Sequence, residues 1–435
     1  MPESRQCHLV GVAGSGMSAL AQVLIAQGWA VSGSDRFSDQ GSDLAILEKL
    51  KMAGVRLMPQ DGSGITDSHC TVVTSSAVET TNADVVAARQ IGCSIVARAE
   101  MLARLADGKE CIAIAGTSGK TTVTGMVGWV LEQLGRDPTV INGGAVLNWL
   151  DDRIIGNVRI GKSGPWVLEA DESDRSLLMF KPDWAIITNV GKDHFDLKES
   201  EALFARFAGQ VGKGVIRPES AADEVEVAAE SFAGTEFLRH GVRFSVSLPG
   251  RHNVENAMQT IALCERLGID VREVVAPLRQ FRGIERRLQY MGKMNGAVII
   301  DDFAHNPAKI MASWRTVAPH FKRILAVWRP HGFKPLEFMQ SELIETIAGV
   351  SHPDDRFFVL PVFYAGGTVE RRVTSDIFAA GLRARGINAL AVADHEACIN
   401  HISALAGKGD AVLVMGARDP DLPRLARGLA ARNAA

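Results

Sequence analysis

The residues whose types and spacing most clearly indicate chemistry lie in segment 113–122, which reads Ala-Ile-Ala-Gly-Thr-Ser-Gly-Lys-Thr-Thr. Glycines let successive backbone N–H groups close around phosphate oxygens, Lys120 adds a positive charge, and the Thr121 hydroxyl is suited to Mg²⁺. Ile114 stands where the general phosphate-loop pattern has its first glycine, so this loop is a variant. The alternative is an ordinary glycine-rich turn, but we favour a nucleoside-triphosphate site. Its predicted contacts are Gly116, Thr117, Ser118, Gly119, Lys120, Thr121 and Thr122.

The sequence around this loop predicts the elements that a phosphate loop requires. Residues 111–115 form a short apolar run typical of a buried strand, and residues 121–134 carry apolar side chains at helical spacing. The order strand, loop, helix points the free N–H groups of the first helical turn toward a bound anion.

Acidic and histidine side chains follow two further predicted strands. Residues 166–168 run directly into the acidic segment 169–174, and residues 184–187 are followed by a polar segment that contains His194. Mg²⁺ prefers oxygen ligands, and ligands collect at the strand ends of open α/β sheets. Taken alone, the acidic segment is a solvated turn and the histidine a structural group. Beside the phosphate loop, they predict a metal site formed by Thr121, Glu169 and His194.

The first hundred residues contain a second glycine turn. An apolar run at 8–12 leads into a turn with glycines at 11, 14 and 16, and Asp35 follows the next predicted strand about 20 residues later. This pattern is typical of a nucleotide-binding βα unit, in which the carboxylate meets ribose hydroxyls. A nicotinamide-dependent dehydrogenase is one alternative, but it leaves the loop at 116–122 without a role.

Short β-branched runs alternate with helical patterns along the chain, which predicts mostly parallel sheets with helices on both faces. We therefore predict an α/β protein with three domains. They are an N-terminal Rossmann-like domain at 1–107, a central phosphate-loop ATPase domain at 108–292 and a C-terminal Rossmann-like domain at 293–435. Residues 213–235 are small and acidic, which favours a loop or an irregular segment without chemistry.

Two further polar motifs accompany predicted helices. Segment 250–256 contains a histidine and two asparagines, whose amides cap a helix or bind an adenine edge. Segment 301–306 contains two aspartates, a histidine and an asparagine, and it precedes a proline that favours a helix start. Helix capping is the alternative role in both places.

Composition narrows the class of protein. The chain has 435 residues, a formal net charge of −3 and no Lys/Arg-rich run, which argues against a nucleic-acid partner. Its first residues lack the apolar core of a signal peptide, and no stretch approaches about 18 consecutive apolar residues. We expect no membrane insertion and a cytoplasmic location. Six scattered cysteines without a Cys-x-x-Cys pair favour reduced thiols over disulfides or a zinc site.

Taken in order, these blocks resemble the Mur ligase family, the ATP-dependent amide-forming enzymes of peptidoglycan precursor synthesis. The resemblance covers almost the whole chain and is closest to the branch that adds L-alanine. It rests on the order of the blocks, since no single block is specific. The blocks are His8-Leu-Val-Gly-Val-Ala-Gly-Ser-Gly-Met-Ser18, Val31-Ser-Gly-Ser-Asp35, Arg98-Ala-Glu-Met-Leu102, Glu169-Ala-Asp-Glu-Ser-Asp174, Gly250-Arg-His-Asn253 and Gly409-Asp-Ala-Val-Leu-Val-Met-Gly416.

The resemblance implies a role for each matching residue. The first glycine turn would hold the UDP part of a UDP-sugar, through Gly14, Ser15, Gly16, Met17, Ser18, Ser34, Asp35 and Arg98. The ATP contacts outside the loop would be His252, Asn253, Asn256, Arg287 and Asp301. The residues closest to the reacting groups would be Lys120, Glu169, His194, Arg286 and His305. Asn306 belongs to the same matching segment as Asp301 and His305.

The activity implied by the resemblance is ATP-dependent joining of an amino acid, L-alanine by preference, to the lactyl carboxylate of UDP-N-acetylmuramate through an acyl phosphate. The cofactors would be ATP and Mg²⁺, and the chain would be a monomer or a weak homodimer. One alternative keeps the fold with another amine or a short peptide, in cell-wall recycling or a separate pathway. Another is a non-catalytic nucleotide-binding regulatory protein, against which the intact Lys120 and Glu169 argue.

One segment departs from the family pattern. Residues 327–335 occupy the place of an arginine-bearing segment that helps to hold the amino-acid substrate. Gly332 has no side chain to bind a carboxylate, and Lys334 offers a point charge rather than a bidentate fork. We predict that His331 and Lys334 contact the substrate, with the amine itself left open.

Overall fold

The computed structural model describes residues 5–39, 41, 44–191, 195–218, 225–364 and 372–432. The chain divides into two compact units. Unit 1 comprises Met1–Glu230 and Gly234–Ile284, and unit 2 comprises Ser231–Ala233 and Glu285–Ala435.

The N-terminal part of unit 1 is a five-stranded parallel sheet in the order β3-β2-β1-β4-β5. Apolar side chains of β1 and α1 lie in its core, among them the fully buried Leu9, Leu20 and Leu24. The elements are β1 (Gln6–Val10), α1 (Ser15–Ala26), β2 (Ala30–Ser34), α2 (Arg36–Asp39), α3 (Ala45–Met52), β3 (Arg56–Met58), β4 (Thr71–Thr74), α4 (Ala83–Ile91), β5 (Ile95–Ala97) and α5 (Arg98–Ala106).

A buried polar network ties β1, β2 and α4 together. Asp84 of α4 accepts a hydrogen bond from the Ser34 hydroxyl at 2.5 Å and another from the Gly62 amide at 2.8 Å. His8 lies beside it, with Nε2 3.5 Å from the carboxylate, and its Nδ1 lies 2.9 Å from the Ser32 hydroxyl. Burial raises the pKa of Asp84, but the neighbouring His8 ring and the hydrogen bonds from Ser34 and Gly62 outweigh it and hold the pKa below its ordinary value.

The central part of unit 1 carries the phosphate-loop segment on a six-stranded sheet in the order β11-β10-β6-β9-β7-β8, in which only β8 is antiparallel to its neighbour. Every residue of β6 is buried, as predicted from its apolar run. The elements up to the sheet edge are β6 (Cys111–Ala115), α6 (Lys120–Gln133), β7 (Thr139–Ile141), β8 (Val158–Arg159), β9 (Trp166–Glu169), a 3₁₀ turn (Ser176–Met179), β10 (Trp184–Ile187), α7 (Leu197–Ala208) and β11 (Gly214–Ile216).

The expectation of an irregular segment at 213–235 was wrong for the residues that the structure describes there. This stretch contains β11, β12 (Glu226–Ser231) and the start of β13 (Gly234–Arg239), and β13 pairs with β14 (Val242–Val246) as a hairpin. Phe237 and Phe244 face each other across the hairpin and are buried, and this packing outweighs the weak local pattern. Helices α8 (Arg251–Arg266) and α9 (Val271–Gln280) complete the unit.

Unit 2 is a second doubly wound sheet in the order β15-β16-β20-β17-β18-β19, in which β15 alone is antiparallel to its neighbour. Buried apolar clusters lie on both faces of this sheet. The elements are β15 (Gln289–Met294), β16 (Ala297–Asp302), α10 (Pro307–Val317), a 3₁₀ turn (Ala318–His320), β17 (Arg323–Trp328), α11 (Phe333–Val350), β18 (Arg356–Val359), α12 (Ser375–Ala384), β19 (Ala389–Ala391), α13 (His395–Leu405), β20 (Asp410–Met415) and α14 (Leu422–Ala431).

These sheets confirm the predicted fold class of mostly parallel α/β layers. Within the described ranges, no helix is both long enough and apolar enough to cross a bilayer.

The buried network at Asp84 generates a stability prediction. Asp84→Ala removes the acceptor for two donors and leaves His8 without its acidic neighbour, so we expect the free energy of unfolding to fall by about 2–4 kcal/mol. Asp107→Ala, at an exposed site after α5, is the matched control and is expected to change it by less than about 0.5 kcal/mol. Urea unfolding measures both, and equal effects would contradict the assigned role of the network.

Candidate functional site

The phosphate-loop segment is held by the end of a neighbouring strand. Residues 188–191, which follow β10, contact the loop through both backbone and side chains. The Thr188 hydroxyl lies 2.6 Å from the Ser118 carbonyl, to which it donates, and the Asn189 carbonyl accepts the Thr117 amide at 3.1 Å. The Asn189 side chain accepts the Ser118 amide and donates to the Ser118 carbonyl. These bonds set the shape of the loop.

Two glycines of the loop stand where a side chain cannot fit. Gly116 has φ 131°, and a Cβ atom there would come within 2.1 Å of the Thr188 hydroxyl oxygen. Gly119 has φ 85°, and its Cβ atom would lie 2.9 Å from Asn256 Oδ1. The close approach of β10 and α8 therefore requires glycine at both positions.

Lys120 begins α6 with its ammonium group turned back over the loop. Its Nζ lies 2.6 Å from Glu172 Oε2 and donates to the Gly116 carbonyl at 2.8 Å. Burial raises the pKa of Glu172, and the charge of Lys120 opposes that rise. The second carboxylate oxygen of Glu172 is buried and has no hydrogen-bond partner among the residues that the structure describes. A phosphate group would compete with this carboxylate for Lys120.

Thr121 and Glu169 form the described part of the predicted metal site. The Thr121 hydroxyl lies 3.1 Å from Glu169 Oε1, and Glu169 Oε2 accepts the Gly143 amide at 2.8 Å. A hydroxyl and a carboxylate side by side are oxygen donors of the kind that Mg²⁺ takes, so these residues fit the ion. The third predicted ligand, His194, lies outside the described residues. Within the described part of the chain, no group of three or more His, Cys, Asp or Glu side chains forms a metal-binding cluster.

The predicted adenine-side residues lie at the start of α8, beside the loop. Asn253 and Asn256 are buried, and Asn256 donates to Asn253 Oδ1 at 3.2 Å. Asn253 in turn donates to the Pro249 carbonyl. Neither amide caps the helix, because Gly250 precedes it without a side-chain cap. His252 is exposed. Asn256 lies against Gly119 of the loop, and its hydrogen bond to Asn253 fixes it within α8.

The predicted UDP-sugar residues surround the N-terminal glycine turn. Gly14 precedes α1, which begins at Ser15, so residues 14–18 form the first turn of a helix beside the sheet. Asp35 accepts the Ala13 and Phe37 amides at 3.0 Å each, so its carboxylate shapes the turn rather than standing free. Ser34 is fully buried and donates to Asp84, so its hydroxyl is also engaged.

Arg98 connects this turn to the acidic segment after β9. A Cβ atom at Gly16 would lie 3.0 Å from the Arg98 guanidinium, so the arginine packs against the turn. Burial raises the pKa of Asp171, but the Ser173 amide and the charges of Lys120 and Arg98 outweigh it, and the pKa is lowered. The charges of Arg98 and Lys120 thus act on one carboxylate in unit 1.

In unit 2, Arg286 is paired with a buried aspartate. Its Nε lies 3.2 Å from Asp301 Oδ2, its Nη2 donates to the Gly416 carbonyl at 2.7 Å, and its guanidinium stacks on Phe303. Burial raises the pKa of Asp301 to about 6, and Arg286 opposes that rise. Arg287 is exposed and also stacks on the Phe303 ring. The resemblance implies that either Arg286 or Arg287 contacts phosphate, and Arg287 is the more accessible of the two.

Two histidines meet at the carboxyl ends of β16 and β17. His305 and His331 are in edge-to-face contact with ring centroids 5.1 Å apart. Burial lowers the pKa of His305 to about 4, and it lowers the pKa of His331 with a further contribution from the charge of Arg418. Asn306 caps α10 by accepting the Lys309 amide, which is the alternative role that the sequence left open. Lys334 is exposed in the first turn of α11.

Several residues of the site were missed by the sequence analysis. Glu172 belongs to the acidic segment 169–174 but was given no role of its own, and Thr188 and Asn189 were not singled out. Asn157 joins the two parts of unit 1, donating to the Ser15 carbonyl at 2.9 Å and to the Ser18 hydroxyl at 3.0 Å. These contacts join residues far apart in the chain, so no local pattern indicates them. The charged Glu172 beside an apolar strand was the one available signal.

The tight contact at Gly116 generates a prediction. Gly116→Ala is expected to lower the free energy of unfolding by about 2–4 kcal/mol and to weaken ATP binding at least about tenfold, because the loop must move away from Thr188. Gly108→Ala is the matched control, since Gly108 also has positive φ (70°) but nothing within 4 Å of its Cβ position. It should cost about 1 kcal/mol and leave ATP binding unchanged. Urea unfolding and calorimetric titration with ATP would distinguish the two variants; equal values would contradict the proposed steric constraint.

Asp301 generates a pH prediction. Its pKa is about 6 in the folded protein against 3.8 for an ordinary aspartate, so the folded state holds this proton more tightly. The resulting stabilisation is complete below about pH 4 and is lost as the pH rises through about 6. We expect the free energy of unfolding of the wild type to fall relative to that of Asp301→Asn between pH 4 and 7. Asp376→Asn, at an exposed site on α12, is the control, and its free energy of unfolding should depend on pH as that of the wild type does. The same pH dependence in Asp301→Asn would refute the assignment.

Models of known domain families match most of this chain. Three domain models match the chain in order: "Mur ligase family, catalytic domain" over residues 6–110, "Mur ligase middle domain" over residues 114–207, and "Mur ligase, glutamate ligase domain" over residues 286–418.

Similar proteins align with the chain over nearly its whole length. The UDP-N-acetylmuramate–L-alanine ligase of Bradyrhizobium diazoefficiens is 34% identical, with 94% of each chain covered. That of Gloeobacter violaceus is 31% identical, with 94% of this chain and 92% of the relative covered. The crystal structure of the UDP-N-acetylmuramate-alanine ligase of Thermotoga maritima matches with a TM-score of 0.80 and 26% identity, covering 99% of both chains. With these relatives and the three domain models in their order, the chain belongs to the Mur ligase family.

Proposed function

We propose that this protein is an ATP-dependent ligase that joins an amino acid, L-alanine by preference, to the lactyl carboxylate of UDP-N-acetylmuramate. The observation that carries the proposal is the phosphate loop with Lys120 over it and Thr121 beside Glu169. The similarity to two UDP-N-acetylmuramate–L-alanine ligases over nearly the full chain supports the choice of substrates. The family couples ATP cleavage to the formation of an amide bond, which agrees with a nucleotide site of this kind.

The first step activates the carboxylate. An oxygen of the lactyl carboxylate attacks the γ-phosphorus of ATP, the bond to the β–γ bridging oxygen breaks, and ADP and an acyl phosphate result. Lys120 leaves Glu172 and neutralises charge on the transferred phosphoryl group. The backbone N–H groups of the first turn of α6 bind phosphate oxygens in the same site.

The second step forms the amide. The neutral amine of the amino acid attacks the acyl carbon, and a tetrahedral intermediate forms. It collapses with loss of inorganic phosphate, while the amine gives up a proton. The departing phosphate takes up this proton. Burial lowers the pKa of His305 to about 4, so its ring is unprotonated near neutral pH and can accept a hydrogen bond from the amine. We assign the orientation of the attacking amine to His305.

We assign the metal to Thr121, Glu169 and His194, where Mg²⁺ would supply charge for the phosphoryl oxygens when bound. Lys120, Gly116, Thr117, Ser118, Gly119 and Thr122 are proposed to bind the phosphates. The proposed residues on the nucleoside side are His252, Asn253 and Asn256. In unit 2, Arg286 is proposed to act through its ion pair with Asp301, and Arg287 is proposed to bind phosphate directly.

We assign the UDP-sugar to the glycine turn at 14–18 with Arg98, supported by the way Arg98 packs against Gly16. Because Ser34 and Asp35 are engaged in hydrogen bonds, we assign them the shaping of this turn beside the uridine. The proposal also includes three domains with boundaries at 107/108 and 292/293. We further propose a cytoplasmic location and a monomer or weak homodimer.

One observation favours a second candidate within the family. Gly332, with φ 78°, precedes α11 at the place where the family pattern has an arginine-bearing segment. Loss of that side chain permits another amine, such as a different amino acid or a short peptide. The carboxylate substrate and the first step stay the same in this candidate.

Phosphate release tests the proposal. Purified protein with ATP, Mg²⁺ and UDP-N-acetylmuramate is assayed for inorganic phosphate and for the amide product across a panel of amino acids and short peptides. We expect turnover with at least one amine. Turnover with L-alanine supports the first candidate, and turnover only with another amine or a short peptide supports the second. Protein that is folded and binds ATP but shows no turnover with any UDP-muramyl substrate and amine would refute the proposal.

Lys120→Ala is expected to reduce this turnover by at least about 10²–10³-fold while the circular dichroism spectrum is unchanged, because it removes the cation that contacts the phosphates. Lys162→Ala, which removes an exposed lysine of the same unit, is the matched control and should keep full turnover. Retained turnover in Lys120→Ala would show that the loop does not act on ATP.

A further inference from the structure

Arg418 stands in a conformation that side chains rarely adopt. It follows β20 with φ 64°, in the left-handed region that favours glycine. Its side chain is exposed, so packing in a core does not explain why an arginine stands there. Strain of this kind at a strand end is a reason to look for a ligand of the side chain.

The fold brings Arg418 to the substrate side of the sheet in unit 2. In the register of this sheet, Asp302, Trp328 and Met415 are neighbours at the carboxyl ends of β16, β17 and β20. The chain continues past these ends, and the Arg329 amide donates to the Met415 carbonyl at 3.1 Å. Ligands of open α/β sheets bind outside this edge.

Arg418 follows β20 on the same edge of the sheet as His331 and Lys334, which the sequence predicts to contact the substrate. Its positive charge contributes to the lowered pKa of His331, whose ring contacts His305. His331 is two residues before Phe333, where α11 begins, and Lys334 is exposed in the first turn of that helix. Arg418, His331 and Lys334 thus lie on one edge of the sheet.

The neighbouring acidic groups are already engaged. Asp419 accepts Arg329 Nη1 at 2.6 Å, and His395 also contacts that arginine. Asp301 pairs with Arg286, and Asp302 accepts the Leu288 and Ala304 amides.

Two further acidic side chains, both acting on His395, also have partners. Asp394 caps α13 by accepting the Ala397 amide, and Asp421 accepts a hydrogen bond from Arg424. In the described part of the chain, the Arg418 side chain has no ion pair. An unneutralised guanidinium fork at this edge favours a carboxylate ligand.

We propose that Arg418 binds the α-carboxylate of the incoming amino acid, with Lys334 as a second positive charge. This inference rests on the proposed function and names the group that replaces the side chain missing at Gly332. The guanidinium supplies two parallel N–H donors, which the ammonium group of Lys334 cannot do. The substrate class follows: the amine must carry a free carboxylate near its amino group.

Three substitutions separate charge from backbone strain. Arg418→Gly removes both, Arg418→Gln removes the charge alone, and Arg418→Lys keeps the charge without the fork. We expect all three to raise KM for the amino acid, about 10–100-fold for Gly and Gln and less for Lys. KM for ATP should be unchanged, and kcat at saturating amine should fall less than threefold. Arg418→Gly is also expected to raise the midpoint of thermal unfolding, since glycine relieves the strain.

Asn295→Gly is the matched control. Asn295 has φ 51° in the turn between β15 and β16, at the opposite end of β16 from Asp302, and it is exposed. This variant relieves a comparable strain and should leave KM for the amino acid unchanged.

A second arm uses the substrate. The wild type should discriminate against the amide of the accepted amino acid, which lacks the carboxylate, and Arg418→Gln should lose most of that discrimination. An unchanged KM in Arg418→Gln and Arg418→Gly, or a wild type that uses the amide equally well, would overturn this inference. A wild type without turnover on any amine would instead overturn the proposed function, so the two failures are distinguishable.

Discussion

The proposed nucleotide site depends on one steric constraint, the close approach of the loop at 116–122 to the end of β10. Thr188 and Asn189 bind the loop from the side, and this leaves no room for a Cβ atom at Gly116. The loop is therefore shaped before any ligand arrives. Its position also sets the first turn of α6, and with it Lys120 and Thr121. The carboxylates of Glu169 and Glu172 then have fixed partners at 3.1 Å and 2.6 Å.

Pairing of cations with buried carboxylates organises the charged residues of both units. Lys120 is held by Glu172, Arg286 by Asp301 and Arg329 by Asp419. Such pairs contribute little net stability, because desolvation offsets their attraction, but they fix where each charge lies. Glu172 and Asp301 both have raised pKa values because burial opposes their ionisation. In the proposed function a phosphate takes the place of Glu172 beside Lys120, because it carries more negative charge than this carboxylate.

The two glycine turns of the chain both connect a strand to a helix, but their side chains differ in chemistry. The N-terminal turn at 11–16 is shaped by Asp35, which accepts two backbone amides, and it carries no lysine. The central loop is shaped by neutral groups, and Lys120 brings charge to it. This difference agrees with an assignment of the UDP-sugar to the first turn and of the reacting triphosphate to the second.

The sequence by itself determined that the sheets are mostly parallel with helices on both faces, and it located the central loop at 116–122. A buried strand such as β6 is a continuous apolar run, which the sequence shows directly. The glycines beside Lys120 form a motif that few structures other than a phosphate loop require. Both features can therefore be predicted without a structure. The hairpin β13–β14 could not be predicted from the sequence, because it is stabilised by the packing of Phe237 against Phe244 rather than by a local pattern. The tertiary structure alone decided that the side chains of Ser34 and Asp35 take part in hydrogen bonds and that Glu172 pairs with Lys120. It also decided that Arg418 and His331 follow strands that end at the same edge of one sheet. Each of these results depends on contacts between residues distant in the chain, and only folding brings such residues together.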